Sequence, residues 1–245
     1  MSRYTKHFFE KQPDITASSA KAIIPLVTDL LHPKSVIDMG CGVGVWLAEF
    51  LDQGTERVVG VDGAWLPLEQ LLIPKENFVA HNLETPFVAK ERFDLVISLE
   101  VAEHLAPEAA TTFVESLVSL GDVVLFSAAI PFQGGEHHIN EQWQQYWADL
   151  FREKGFEVFD CVRSLIWDRE DVAPFYKQNT LLFIRSSAVN RFPRVQEAQK
   201  NAMPVLSVVH PDYLDPTKIS LKRYLEKLVL VVGAFFERKM KRIKR

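Results

Sequence analysis

The stretch VIDMGCGVGVW, residues 36–46, restricts what this chain can fold into more than any other. An apolar run ends in the acid Asp38, and Gly40, Gly42 and Gly44 then alternate with Met39, Cys41 and Val43. Glycine lets the backbone turn tightly and lets a ligand approach without meeting a Cβ. A loop of this kind joins a buried strand to a helix.

The rest of the chain keeps that alternation. Strand-like runs fall at 35–40, 57–62, 77–82, 92–99, 122–130, 156–167 and 179–185. Helical spacing appears at 16–31, 45–54, 64–72, 106–120 and 140–155, with stops at Gly54 and Gly155. Pro25 should kink the first helix or delay its start. In the last, Asn140 is the expected N-cap, and Trp143, Tyr146, Trp147, Leu150 and Phe151 share one apolar face. The run RFDLVISL, 92–99, is nearly all apolar, as a strand covered on both faces requires. This order predicts an α/β fold with a mainly parallel, doubly wound sheet. A ligand then belongs at the carboxyl ends of the strands.

Hydrophobic residues make up 47% of the 245, enough for a sizeable core, so a disordered class is excluded. Cys41 and Cys161 form no metal spacing, which fits a reducing compartment. The first residues carry no apolar signal-peptide core, and no run reaches the ~18 apolar residues of a membrane span. A cytoplasmic location is therefore expected. From Lys222 to Arg245 nine Lys/Arg face two Glu, or +7, so the other 221 residues carry −11 of the net −4. An acidic body argues against nucleic acid as a partner.

An acid two residues before the first glycine sits poorly beside a pyrophosphate. It suits a cationic ligand with an amino group and a sulfonium. Asp62 ends the next strand, where a carboxylate can accept from both ribose hydroxyls. With VIDMGCGVG, VVGVD, HNLE and FDLVISLEVAEHL in this order, residues 30–186 resemble class I S-adenosylmethionine-dependent methyltransferases. The expected fold is then a Rossmann-like sheet of about seven strands, mostly parallel with the last antiparallel, and helices on both faces. The resemblance implies S-adenosyl-L-methionine as cofactor. It places Asp38, Gly40, Gly42 and Gly44 around the methionine part, Asp62 on the ribose, and Asn82 and Leu83 at the adenine. Asn82 stands where the family often has Asp, and its carbonyl can still accept from an adenine amino group.

ISLEVAEHL, 97–105, ends the fourth strand where the resemblance puts the transferred methyl group. Glu100 is a candidate for both cofactor contact and catalysis. His104 and His137 are candidate general bases, because imidazole titrates near neutrality. On a helical turn Glu100 would face Glu103 and His104, and GGEHHINEQW, 134–143, offers Glu136, His137 and His138 as further ligands. That pattern resembles the metal site of small-RNA 2′-O-methyltransferases, and in part that of some quinone O-methyltransferases. The reading adopted has no metal, with Glu103 bracing the next helix.

HHINEQWQQYW and VRSLIWDREDVAPFYKQNTLLFI resemble a bacterial group associated with polysaccharide and surface-glycan biosynthesis. The resemblance implies a sugar or glycan acceptor, methylated at oxygen by in-line displacement, with residues 167–178 as a lid. Two alternatives are a metal-dependent RNA 2′-O-methyltransferase and a non-catalytic cofactor-binding subunit. The chain divides into a helical cap (1–34), the cofactor-binding domain (35–186), a Pro-containing connection (187–219) and a basic amphipathic helix (220–245). That last helix could lie on an anionic membrane, making the protein peripheral to it, pack on the body or a partner subunit, or dock on nucleic acid.

Overall fold

A computed structural model describes residues 6–203 and 205–213, together with Leu225, Leu228 and Val229. Apart from those three positions, the helix expected at 220–245 lies outside the described residues.

Seven strands form one sheet: β1 (Ser35–Met39), β2 (Arg57–Asp62), β3 (Phe78–Ala80), β4 (Leu95–Leu99), β5 (Val123–Ser127), β6 (Phe156–Phe159) and β7 (Leu181–Arg185). Their order is β3-β2-β1-β4-β5-β7-β6. The pairings from β3 through β5 are parallel, and β7 runs antiparallel to both β5 and β6. The expected Rossmann-like sheet with an antiparallel last strand is therefore present. The central strands β4 and β5 are buried at every position, because helices cover both faces.

The helices are α1 (Lys6–Leu31), α2 (Val45–Asp52), α3 (Ala110–Leu120), α4 (Gln144–Glu153), α5 (Arg163–Ile166), α6 (Pro174–Asn179) and α7 (Pro193–Ala198). Residues of α1, α2, α5, α6 and α7 pack into one core with Val36 and Leu125. Residues of α3 and α4 pack into a second core with Ile37, Val96 and Phe126. Adjacent strand residues feed opposite faces, as the pleat requires. The N-terminal cap and the connection thus belong to the same body. Val195 of α7 is fully buried, and Arg194 bonds Asp29 of α1 at 2.6 Å.

Several local expectations are corrected. The first helix starts at Lys6, well before 16, and runs through Pro25. Residues 64–72 make only a 3-10 turn at Leu68–Gln70, since Pro67 restricts the residue before it and Pro74 closes the stretch. The sixth strand stops at Phe159, not 167. Asp160 and Arg163 are both buried and pair through two bonds, Nε to Oδ1 at 2.7 Å and Nη2 to Oδ2 at 2.5 Å. That i,i+3 pair needs a helical turn, which the alternation of apolar residues concealed. Asn140 is not the N-cap of α4, which begins at Gln144 behind Trp143. Its N–H instead donates to the Glu103 carbonyl at 3.0 Å. In the stretch 167–178, Val172, Ala173 and Tyr176–Gln178 are buried, while residues 168–171 are exposed.

Candidate active site

The carboxyl end of β1 carries the first half of the site. Asp38 is paired in register with Gly60 on one side and Ile97 on the other. It is 2% exposed, and its Oδ2 has no hydrogen-bond partner. Burial, reinforced by the charge of Asp62, pushes its carboxyl well above the usual carboxylate range. Asp62 ends β2, and its carboxylate accepts from the N–H of Gly42 (Oδ2, 2.7 Å) and of Gly63 (Oδ1, 2.6 Å). Burial raises it too, and those two donors pull it back. Each oxygen keeps a second lone pair for a ligand.

The glycines differ in what they do. A Cβ on Gly40 would lie 2.4 Å from Val101 Cγ2, so this glycine lets the chain after β4 close against the loop. A Cβ on Gly42 would meet nothing within 4 Å. That open space, beside an unpartnered buried carboxylate, is a cradle a cationic ligand fits. Asn82 is exposed at the end of β3, and its Oδ1 accepts from Glu84 N at 3.1 Å, which leaves further polar capacity. Leu83 is buried beneath it with Met39 and Val61.

The second half sits at the end of β4. Glu100 has a left-handed backbone, φ 57°, and its N–H donates to Ser127 O and Oγ, both at 3.0 Å. Its carboxylate accepts from Gln133 Nε2 at 2.7 Å and Asn179 Nδ2 at 3.1 Å. Burial pushes Glu100 upward, and Asn179, Gln133 and Ser127 oppose that. A 3-10 turn, Ala102–His104, follows. Glu103 is fully buried, and neither carboxylate oxygen meets hydrogen-bond geometry, although the Ala129 N–H and the Glu100 carboxyl lie close. Burial, then the neighbouring Glu100, push its carboxyl well above the usual range. Burial, then His138, lower His104 to about 4, so it is a neutral imidazole at physiological pH.

His138 stands edge-on to His104, with ring centroids 4.8 Å apart, and its Nδ1 lies 3.1 Å from Glu141 Oε1. Glu141 also accepts from the N–H groups of Phe132 and Gly134, each at 2.8 Å, and so closes the 132–141 loop. Ile139 and Asn140 donate their N–H to the Glu103 carbonyl at 2.9 and 3.0 Å, which ties this loop to the β4 corner.

The chain that builds this site matches a known family. Residues 14–167 match the family described as "Methyltransferase domain". The chain belongs to that family. S-adenosylmethionine is the cofactor of this methyltransferase. It supplies a methyl group already activated on a sulfonium.

Among curated relatives, a "Ubiquinone biosynthesis O-methyltransferase" from Methylobacterium sp. (strain 4-46) is 36% identical over 93 residues, 35% of this chain and 36% of that protein. A "tRNA U34 carboxymethyltransferase" from Pseudomonas aeruginosa (strain LESB58) is 38% identical over 81 residues, 30% of this chain and 25% of that protein. The matches therefore span well under half the length of these relatives. Among solved structures, the methyltransferase domain of bacterial CtHen1 superposes with a TM-score of 0.50 at 21% identity, covering 68% of this chain and 96% of that one. Streptomyces venezuelae DesVI superposes with a TM-score of 0.52 at 15% identity, covering 74% and 96%. These two likenesses establish the fold.

The methyltransferase brings Asp38, the three glycines and Asp62 together as expected. Glu100 does not lie on the helical turn with Glu103 and His104, because its left-handed backbone precedes that turn and its carboxylate is taken by two amides. The His138 ring joins His104, and His137 reaches His104 through its main chain. Both rings lie in one cluster with Glu103, the three ligand atoms all within 4.8 Å of one another. The His137 side chain is half exposed, 3.9 Å from Glu136. Gln133 and Asn179 have no place in the sequence reading of the site, and Gln178 enters it only as part of 167–178. Uncharged amides carry no sequence signal until a buried carboxylate is seen between them.

Proposed function

We propose that this methyltransferase methylates an acceptor hydroxyl by direct in-line displacement. The carrying observation is the cluster of the His104 imidazole with the buried Glu103 and with His138, at the strand end next to the cofactor loop. A hydroxyl must lose its proton as it attacks a methyl group, and a neutral imidazole there takes it. The protein otherwise supplies orientation and exclusion of water. Asp38 and Asp62 bind and take no proton.

The acceptor class we favour is a sugar or glycan intermediate. The resemblance of residues 137–147 and 162–184 to a surface-glycan group supports it. So does the loop beside the histidines, where Phe132, Ile139 and Trp143 are exposed and offer apolar faces on which a sugar ring stacks. On this reading the protein works in the cytoplasm. No helix among the described residues is long and apolar enough to cross a membrane. Peripheral attachment through 220–245 is part of the same proposal.

A second reading has one observation of its own. Glu103, His104 and His138 offer one carboxylate and two imidazoles within 4.8 Å, and neither Glu103 oxygen has a partner in hydrogen-bond geometry. First-row metal bonds of ~2.0–2.2 Å put ligand atoms ~3–4 Å apart, so a modest contraction fits a divalent cation. Such an ion would act on the acceptor oxygen, and RNA 2′-hydroxyls would then enter as acceptors.

Radiolabelled S-adenosylmethionine with fractionated lysate, with and without chelator, decides between these. Label in saccharide that resists chelator supports the first reading. Label in RNA that chelator abolishes supports the second. Wild-type protein that binds the cofactor but labels nothing would point to a binding subunit and overturn both.

A further inference from the structure

The amides that hold Glu100 form a chain with one direction. Gln133, Gln178 and Asn179 are 4, 0 and 2% exposed, so none is solvated. A carboxylate only accepts, so Gln133 and Asn179 must each turn an NH2 toward Glu100. Their oxygens then need donors from behind. Gln133 Oε1 accepts from Asn179 Nδ2 at 2.8 Å, Gln178 Nε2 at 3.1 Å and the Ile130 N–H at 3.3 Å. Asn179 Oδ1 accepts from Gln178 Nε2 at 3.0 Å. Gln178 Oε1 accepts from the His210 N–H at 2.9 Å. Side-chain amides can flip, but main-chain N–H groups cannot. Ile130 and His210 therefore set which way every amide points.

His210 lies in residues 205–213, beyond the part of the chain that matches the family. This segment is held on the body at several points. Arg163 donates to the Leu206 carbonyl at 2.9 Å, Gln144 donates to the Val208 carbonyl at 3.0 Å, and the His210 ring lies 2.9 Å from the Trp167 carbonyl. At the other end of the chain of amides, the residue after Glu100 is Val101, which closes on Gly40 of the cofactor loop. The network thus runs from residues 205–213 to the seam between the two halves of the site.

We propose that Gln133, Gln178 and Asn179 are positioning residues that hold the Glu100 carboxylate in one orientation toward the cationic cofactor, and that residues 205–213 complete the site by supplying the His210 N–H. A carboxylate so held distinguishes a sulfonium from a neutral thioether. It favours S-adenosylmethionine over S-adenosylhomocysteine, which carries one positive charge less. The inference rests on the cofactor reading alone and is independent of the acceptor.

The test is calorimetric titration of the full chain with each of these two compounds. Glu100→Gln is expected to lower the preference for S-adenosylmethionine about three- to tenfold, with S-adenosylhomocysteine affinity little changed. Gln133→Met and Gln178→Met should move the ratio in the same direction. His210→Pro, which lacks the N–H, should do so as well, whereas His210→Ala, which keeps it, should not. If Gln133→Met does not fold, Asn179→Ser reads the same ratio through the longer bond. A purely structural role would change both affinities together or neither. An unchanged ratio in folded Gln178→Met and His210→Pro, or in Glu100→Gln, overturns the proposal. Wild-type protein that binds neither compound breaks the cofactor reading instead.

Discussion

In the glycine loop the bonds that shape the site span short stretches. Gly42 reaches Asp62, 20 residues on, and Gly63 reaches its own neighbour Asp62. At the end of β4, Glu100 is held by Gln133 and Asn179, 33 and 79 residues on, and Gln144 reaches Val208 across 64. Within each half, buried charge is treated in two ways. Asp62 and Glu100 are each bonded by two donors, whereas Asp38 Oδ2 and both Glu103 oxygens lack a partner in hydrogen-bond geometry. Burying such a group unpaired costs several kcal/mol, so each is either protonated or answered by a ligand. The cofactor half is a local device any chain with that loop can build. The acceptor half is assembled from four separate regions of this chain.

The largest expected effect separates two glycines of one loop. Gly40→Ala forces a Cβ to 2.4 Å from Val101 at φ 98°. Overpacking of about 1–3 kcal/mol, with left-handed strain of about 1–2 kcal/mol added, should lower stability in denaturant unfolding and abolish cofactor binding. Gly42→Ala has room and φ 50°. It should stay within about 1–2 kcal/mol of wild type, the cost of left-handed strain, yet bind the cofactor far more weakly. Equal stability losses in the two variants would erase the distinction between a packing glycine and a ligand glycine.

Next comes the pH dependence of stability in the acceptor half, measured in chelator. The folded chain keeps Glu103 protonated above its ordinary range, while the unfolded chain ionises it from about pH 4.3. Unfolding releases that proton, so Glu103 lowers stability as pH rises from about 4.3 toward its folded pKa. His104 acts in the opposite sense. Its folded pKa is about 4 against an ordinary 6.5, so the unfolded chain binds a proton the folded chain refuses. Stability then rises with pH between about 4 and about 6.5. In that window the two oppose each other. Relative to wild type, Glu103→Gln should make stability climb more steeply with pH, by up to about 1.4 kcal/mol per unit, and His104→Asn should do the reverse. Parallel curves for all three proteins would show that this pair is not buried as described.

A smaller effect on stability is expected at Gly135, where a Cβ would lie 2.1 Å from His138 Nε2. Gly135 is exposed and the ring can swing away, so stability should stay within about 0.5 kcal/mol. Turnover should nevertheless fall about tenfold as His138 leaves His104, as catalysis is sensitive to small displacements. Unchanged turnover would remove His138 from the acceptor half. The smallest effect belongs to neither half. Lys200 and Glu197 pair at 2.5 Å on the surface, each about 70% exposed. Lys200→Ala should shift stability by no more than about 0.5 kcal/mol and leave turnover alone.

The sequence by itself determined the sheet, the order of its elements and the cofactor half. A buried parallel strand needs apolar residues on both faces, and a tight loop beside a ligand needs glycine, so both leave contiguous marks. It also marked β4's end as chemical, through Glu100, Glu103 and His104. Only the tertiary structure decided how those groups are used. A left-handed backbone at Glu100 placed its carboxylate between two buried amides, Gln133 and Asn179. The 132–141 loop, folded onto the Glu103 carbonyl, brought the His138 ring and the His137 main chain to His104. Asn140 was drawn from the expected helix cap by the same contact. Such choices are set by side chains that meet across 30 to 80 residues. Hydrogen bonds of that reach follow from the packed sheet and leave no periodicity or spacing in the chain for a reader to find.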